Sequence, residues 1–220
     1  MAQTTRSDPT AVSIPAAGVR LEANLILPPH ALGVVAFAHG SGSSRHSPRN
    51  VYVAEQIQQS RVGTLLMDLL TPSEDVEDQR GGALRFDISL LTGRLIAAID
   101  WLGAQVRTRD LPIGLFGAST GAAAALAAAA ERPAVRAVVS RGGRPDLAGD
   151  FLPKVQAPTL LIVGGNDLTV LELNRHALHL LRSKKKLITI PAATHLFEEP
   201  GSLEQVARYA GQWFATYLRP

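Results

Sequence analysis

The sequence has no cysteine, few charged residues and no long apolar run, and each absence excludes a class of function. Without cysteine the chain has no disulfide, no thiol nucleophile and no thiolate metal site. Lys and Arg number 22 against 19 Asp and Glu, so nucleic-acid binding is not expected. No stretch approaches the roughly 18 apolar residues of a spanning helix, and the polar start lacks a secretory signal. We expect a cytoplasmic protein with no membrane partner.

What the sequence does contain is enough apolar material for a core, divided into short runs. Hydrophobic residues make up 46% of the 220 positions, and a chain of this length can bury a sizeable core. Its 19 glycines and 14 prolines are spread along the chain, as expected of turns between many elements. We predict one domain over residues 1–220.

Strand patterns and helix patterns alternate along this domain. Two extended segments open it as a hairpin, and short buried runs then predict strands, at 11–14, 19–27, 33–38, 63–67, 111–116, 134–140, 159–163 and 187–190. Between them, 3.6-residue periodicity and capping signals predict helices that begin at Pro48, near Asp87, at Thr120, at Val170 and at Ser202.

Three local signals refine these boundaries. Ser47 is a predicted N-cap, and Ser202 with Gln205 has capping-box spacing. The acidic, glycine-containing stretch 71–85 is predicted as a surface loop. Strict alternation of strand and helix predicts the α/β class, with a mostly parallel sheet covered by helices on both faces.

The sharpest motif is Gly117-Ala118-Ser119-Thr120-Gly121, between an apolar strand and an alanine-rich helix. In a G-x-S-x-G elbow, a tight turn exposes the serine, and larger residues in place of the glycines would collide with neighbouring backbone. Ser119 is therefore the candidate nucleophile. The competing interpretation is a phosphate-binding glycine loop, but neither a G-x-x-x-x-G-K-[ST] nor a G-x-G-x-x-G string is present.

A serine nucleophile needs a base and an acid that orients the base. Asp167 and His195 each follow a predicted strand, and the order serine, aspartate, histidine is the order of α/β-hydrolases. Alone, Asp167 would be a turn residue and His195 a loop histidine. Asp68 is an alternative acid. The remaining histidines apart from His39 lie in polar loops or in a helix, at 30, 46, 176 and 179.

The reaction also needs two N–H donors for the negative charge that develops on the carbonyl oxygen. The backbone of Thr120, after the nucleophile, is one candidate, and that of Ser41, in the glycine loop after a buried strand, is the other. His39, Arg141 and Arg144 lie at the same predicted edge of the sheet and are candidate substrate-binding residues. Either arginine is suited to a substrate carboxylate, although both could instead hold their loop through Asp146 or backbone carbonyls.

Nearly the whole chain resembles the dienelactone hydrolase-like branch of the α/β-hydrolases. The resemblance lies in the elbow and in four further segments, at 38–44, 69–72, 84–87 and 140–146. It implies hydrolysis through an acyl-enzyme, without metal or organic cofactor. Dienelactone hydrolases proper carry a cysteine where this chain has Ser119, so the resemblance favours a carboxylesterase.

We therefore expect hydrolysis of small carboxylic esters by a triad of Ser119, His195 and Asp167. No insertion long enough for a lid domain follows the elbow, which favours small acyl groups. A lactonase or an acyltransferase would use the same triad and remains an alternative. A non-catalytic ligand receptor on this fold is another. The sequence does not indicate an oligomeric state.

Overall fold

A computed structural model describes residues 8–219 and shows one eight-stranded sheet in that part of the chain. The strands are β1 (Thr10–Ala16), β2 (Val19–Ile26), β3 (Gly33–Ala38), β4 (Val62–Met67), β5 (Ile113–Ala118), β6 (Val135–Arg141), β7 (Thr159–Gly164) and β8 (Lys185–Ile190). Their order is β1-β2-β4-β3-β5-β6-β7-β8. The pairs β1/β2 and β2/β4 are antiparallel, and all others are parallel.

Helices cover both faces of the sheet. They are α1 (Pro48–Gln58), α2 (Pro72–Gly81), α3 (Ile88–Ala104), α4 (Thr120–Glu131), α5 (Leu168–Leu180) and α6 (Ser202–Tyr217). Apolar residues of α1 and α6 pack on one face, and those of α3, α4 and α5 pack on the other. Two 3-10 segments, Leu84–Phe86 and Pro145–Lys154, complete the described structure. The predicted α/β fold is confirmed.

The central strands and α4 are almost entirely buried. Every residue of β3, β4, β5 and β7 is buried, as expected of parallel strands that are covered on both faces. The alanine-rich α4 is buried from Thr120 to Ala129, because it lies between the sheet, α3 and the 3-10 segment Pro145–Lys154. Its small side chains let these elements approach closely.

The prediction of a loop over 71–85 is wrong, because most of this stretch forms α2. Thr71 and Glu74 make a reciprocal capping box, with Pro72 in the first turn. This helix buries only Asp78, so its sequence carries no apolar periodicity. The capping box predicted at Ser202 is also wrong. Gly201 is the N-cap of α6, and Ser202 is its first helical residue.

The predicted hairpin and the predicted N-cap of the first helix agree with the structure. β1 and β2 form the opening hairpin, and the Ser47 side chain accepts the N–H of Asn50 to cap α1. Between β6 and β7 the chain forms only the short 3-10 segment, and no lid domain is present in residues 8–219. Within the same residues, no helix has both the length and the apolar character needed to cross a membrane.

Candidate active site

Ser119 occupies a strained turn between β5 and α4. Its φ of 51° and ψ of −121° lie in a region that non-glycine residues rarely adopt. The turn is fixed on both sides: the Ser119 N–H donates to the Arg141 carbonyl at 3.2 Å, and its own carbonyl accepts the N–H of Arg144 at 3.0 Å. The surrounding backbone therefore holds the serine at the carboxyl edge of the sheet.

The two glycines of the motif are required by close packing. A Cβ on Gly117 would lie 2.4 Å from the Cα of Ala122, and a Cβ on Gly121 would lie 2.3 Å from the carbonyl oxygen of Ala38. Both distances are shorter than any real carbon contact, and the neighbours are backbone atoms that have no room to move. The predicted collision is confirmed, and it explains why the elbow tolerates only glycine at these positions.

The loops after β7 and β8 bring Asp167 and His195 together. His195 Nδ1 lies 2.6 Å from Asp167 Oδ2. The strands that carry them are adjacent and parallel, with Gly164 opposite Ile190, so both loops leave the sheet side by side. Asn166 fastens one loop to the other, because its backbone N–H and its side-chain amide each donate to a carbonyl of the His195 loop at 2.9 Å.

His195 also lies beside the strand end that fixes Ser119. A Cβ built on Gly142, just after β6, would lie 3.6 Å from His195 Cε1. His195 Nε2 and Ser119 Oγ make no recorded hydrogen bond in the described residues. Such bonds are often formed only when substrate is bound. The imidazole is 39% exposed and the Asp167 carboxyl 16% exposed, so the histidine is open to solvent while its acid is shielded.

The two residues that carry the candidate oxyanion donors contact each other. Thr120 is the first residue of α4, so its N–H has no acceptor within the helix. Ser41 lies in the loop after β3, and its Oγ is 3.0 Å from Thr120 Oγ1. A Cβ on the intervening Gly40 would lie 3.0 Å from Ser119 Cβ. The loop that carries Ser41 therefore packs directly against the serine.

His39 is held within the protein by both ring nitrogens. The Leu69 N–H donates to its Nε2 at 3.1 Å, so Nδ1 carries the proton and donates to the Gly40 carbonyl at 2.9 Å. The residue is 9% exposed, and this burial lowers the pKa of His39 from its ordinary value. These contacts favour a role in positioning the Gly40–Ser41 loop, and the substrate contact predicted from sequence stays a prediction.

The two candidate arginines have different surroundings. Arg144 forms a two-pronged ion pair with Asp146, at 2.8 and 2.9 Å, which is the structural alternative considered from sequence. Arg141 is buried at the end of β6. Asp68, the alternative acid, instead pairs with Arg45 and accepts its backbone N–H. Its carboxylate is therefore already engaged away from His195.

A cavity of about 230 Å³ opens beside the candidate oxyanion donors. Thr120 and the loop at 39–44 line one side, and residues of the β4–α2 connection with Arg85 line the other. Arg85 is fixed there by an ion pair with the buried Asp78. Within residues 8–219, no group of three or more His, Asp or Glu side chains is placed so that it could bind a metal ion.

Three residues near the site were not found from the sequence. Arg49, in the first turn of α1, pairs with Glu198 at 3.2 Å, and Glu199 accepts hydrogen bonds from both the N–H and the hydroxyl of Thr194. Glu198 and Glu199 follow His195 closely, so their spacing from the histidine was an available signal. Arg49 gave none, because its position depends on how α1 packs.

The fold, the elbow and the Asp167–His195 pair place the chain among the α/β-hydrolases. The pattern of the dienelactone hydrolase family matches residues 74–215. A crystal structure of a dienelactone hydrolase from Anabaena variabilis ATCC 29413 is 58% identical, covers 97% of this chain and 100% of its own, and superposes with a TM-score of 0.96. The chain belongs to the dienelactone hydrolase family.

Other relatives extend the comparison. A protein of Mycobacterium tuberculosis H37Rv, provisionally named a phosphoribosyl transferase, is 57% identical over 208 residues, which are 94% of this chain and 46% of that protein. The chain thus spans about half the length of the curated relatives it matches. Est1E from Butyrivibrio proteoclasticus, at 20% identity and a TM-score of 0.78 over 94% of this chain and 98% of its own, shares the fold.

Proposed function

We propose that this chain is a carboxylesterase for small esters, with Ser119 as nucleophile, His195 as base and Asp167 as acid. The observation that carries the proposal is the 2.6 Å contact between His195 Nδ1 and Asp167 Oδ2, at the sheet edge where the elbow holds Ser119. A carboxylate on Nδ1 fixes the tautomer in which Nε2 is free to accept a proton. Family membership and esterase neighbours of the same fold support this assignment.

In this mechanism His195 Nε2 removes the Ser119 proton as Oγ attacks the ester carbonyl. The negative charge on the carbonyl oxygen is met by the N–H groups of Thr120 and Ser41. His195 then protonates the leaving alcohol, and Asp167 stabilises the imidazolium while it exists. Water repeats the sequence on the acyl-enzyme, releases the acid and restores Ser119.

A lactonase or an acyltransferase would use the same residues. The alternatives differ in whether the ester is cyclic and in which nucleophile attacks the acyl-enzyme. Because the described residues have no lid domain over the elbow, water reaches the acyl-enzyme freely, which favours hydrolysis over transfer. Linear small esters are the proposed substrates because a serine stands where dienelactone hydrolases proper use cysteine.

The name phosphoribosyl transferase belongs to the longer relatives, and we do not extend that activity to this chain. Their name describes proteins more than twice the length of the matching segment. The described site has a strained serine and a histidine paired with an aspartate, and Ser41 and Thr120, which carry the candidate backbone donors, contact each other through their hydroxyls. Acyl transfer to serine uses features of this kind. We infer that any phosphoribosyl transfer in those relatives belongs to the part that this chain does not match.

The deciding experiment compares wild type with Ser119→Ala on 4-nitrophenyl esters from acetate to dodecanoate. We expect turnover of the short esters, and a loss of about 10⁴-fold or more in kcat for the alanine variant, since removing a triad nucleophile has effects of this size. Ser60→Ala, an exposed serine after α1, is the matched control and should retain full activity. Unchanged turnover in Ser119→Ala would refute the assignment.

A fluorophosphonate probe separates an enzyme from a receptor. The probe should label wild type at Ser119 and leave the Ser119→Ala variant unlabelled. A folded wild type that neither reacts with the probe nor hydrolyses any ester would favour the ligand-receptor alternative.

A further inference from the structure

Ser119 and the Asp167–His195 pair are carried by different parts of the sheet, so contacts between those parts must set their alignment. Ser119 lies between β5 and α4, whereas Asp167 is the N-cap of α5 and His195 follows β8. His195 Nε2 and Ser119 Oγ make no recorded hydrogen bond within residues 8–219. The distance between the two parts therefore depends on the scaffold that lies between them.

One peptide group between these parts is held from both sides. The carbonyl of Gly143 and the N–H of Arg144 belong to the same peptide bond and lie in one rigid plane. The Arg144 N–H donates to the Ser119 carbonyl at 3.0 Å. The Gly143 carbonyl accepts the side-chain amide of Asn174, on α5, at 2.9 Å. Asn174 and Ser119 are thus connected through a single peptide group.

The segment that contains this peptide group is tightly packed. A Cβ built on Gly143 would overlap Ser140 Oγ, and a Cβ on the preceding Gly142 would lie 3.6 Å from His195 Cε1. Close packing transmits small displacements, because there is no space to absorb them. A shift of this segment would therefore move the backbone that holds Ser119 relative to the His195 ring.

Asn174 is a buried polar residue in the middle of α5. It is 0% exposed, and asparagine is a poor helix former. Both amide hydrogens are used, because the side chain donates to Gly143 and also, at 2.8 Å, to the Val170 carbonyl one turn earlier. Its Oδ1 is buried without a partner in the described residues, which is unfavourable. The residue therefore contributes through its two N–H donors.

The helix α5 carries both Asn174 and the proposed acid. Asp167 is the N-cap, and Asn174 stands seven positions later, which is two helical turns. The Asp167 carbonyl accepts the Leu171 N–H at 2.9 Å, so the acid is joined to the first turn of the helix. Among the recorded side-chain hydrogen bonds of residues 8–219, the bond from Asn174 to Gly143 is the one that joins α5 to the segment 140–144.

We propose that Asn174 is a positioning residue, which holds the Asp167–His195 pair at the distance from Ser119 that proton transfer needs. It acts through the Gly143–Arg144 peptide group and does not touch the substrate. Without its bond the two parts of the site would shift relative to each other, and a displacement of about 1 Å lowers catalysis by up to about 100-fold. The proposal rests on the esterase assignment for its kinetic effect, while the connection itself is testable without turnover.

The first test compares Asn174→Leu with wild type on 4-nitrophenyl acetate, since leucine is similar in size but has no donor. We expect kcat and kcat/KM to fall together by about 10- to 100-fold, because acylation and deacylation both need the proton transfer. The ratio of variant to wild type should be constant between about pH 5.5 and 8.5, because the Asp167–His195 pair stays intact. A shifted acidic limb of the pH profile would show that this pair is disturbed, and would overturn the proposal.

Two further variants separate positioning from stability. Ala177→Gly, also buried on α5, weakens the same helix and keeps the bond to Gly143, so it should lower the Tm and leave kcat within about twofold of wild type. Asn174→Ser retains a hydroxyl that can donate to the carbonyl one turn earlier, but it loses the bond to Gly143 and should lower kcat as Asn174→Leu does. If Asn174→Leu does not fold, Asn174→Ser decides the outcome. Wild-type kcat in the folded Asn174 variants would overturn the proposal.

The second test is amide hydrogen exchange measured by NMR, and it does not require turnover. Normalised to a buried amide of α4, the Arg144 N–H should exchange at least about tenfold faster in Asn174→Leu than in wild type or Ala177→Gly. An unchanged rate would overturn the proposed connection. Faster exchange with wild-type kcat would refute the positioning role and leave the esterase assignment intact. Faster exchange in a protein whose wild type hydrolyses no ester would support the connection while refuting the esterase function.

Discussion

Two loops at the carboxyl edge of the sheet each carry a histidine, and their surroundings are opposite. His39, after β3, is 9% exposed, and both its ring nitrogens bind backbone groups. His195, after β8, is 39% exposed and uses only Nδ1, toward Asp167, among the bonds of the described residues. The two histidines therefore differ in which ring nitrogen remains available.

The difference extends to charge. Burial lowers the pKa of His39, against smaller raising effects from its bond to Gly40 and from the charges of Asp68 and Asp75. His39 is therefore neutral at neutral pH, and it links the segment at Leu69 to Gly40, in the loop that carries the candidate donor Ser41. A proton acceptor needs a free nitrogen, which His195 retains and His39 does not.

The largest effect should separate the two histidines in catalysis. His195→Asn should lower kcat on a short 4-nitrophenyl ester by about 10⁴-fold or more, because the proton acceptor is lost. His39→Gln should cost at most about 100-fold, the scale of a small displacement of the oxyanion loop. Steady-state kinetics on both purified variants checks this. Equal losses of kcat in the two variants would contradict this difference and would indicate that His39 takes part directly in catalysis.

A smaller effect should separate them in stability. His39→Gln should lower the free energy of unfolding by about 1–3 kcal/mol at pH 7.5, because buried hydrogen bonds are lost. The pKa of His39 is lower in the folded state, so wild type binds the proton less readily than the unfolded chain does. Its contribution is complete above the ordinary value of 6.5 and is lost as the pH falls below it.

Urea unfolding at pH 7.5, 6.0 and 5.0 measures this difference. The loss of stability on acidification should be less steep in His39→Gln than in wild type. His179→Gln is the control, since His179 is exposed on α5 and has no recorded hydrogen bond in the described residues. A His39→Gln curve parallel to that of wild type would show that His39 does not resist protonation.

Much of the site could be predicted because each of its parts is a short, contiguous sequence motif. The elbow needs glycines on both sides of Ser119, and Asp167 and His195 each follow a strand directly. Parallel strands bring their carboxyl ends to one edge of the sheet, so the alternation of elements was enough to place all three together. The triad assignment itself stays a prediction until the variants are measured.

The rest depended on contacts between distant segments. Pairing of Arg144 with Asp146 was foreseeable because the two are near neighbours, whereas the burial of Arg141 depends on what packs around the end of β6. The bond from Leu69 to His39 spans 30 residues and leaves no sequence signal. α2 was missed because a polar helix is defined by its cap and not by an apolar stripe.

The smallest effect concerns how the His195 loop is held. The Thr194 hydroxyl donates to Glu199 Oε1 at 2.6 Å, and this bond chiefly lowers the pKa of Glu199. Thr194→Val keeps the shape of the side chain and removes the bond, so we expect a loss of about threefold in kcat/KM, far below the cost of a full displacement.

The matched control for that change is Thr189→Val, an exposed threonine on β8 with no recorded side-chain hydrogen bond in the described residues. Because the lowered pKa of Glu199 makes its contribution present at neutral pH and lost on acidification, the Tm of Thr194→Val should fall slightly at pH 7.5. That Tm should converge with wild type once Glu199 is protonated. Thermal unfolding at both pH values tests this, and equal behaviour of the two valine variants would show that the His195 loop is positioned by Asp167 and Asn166 alone.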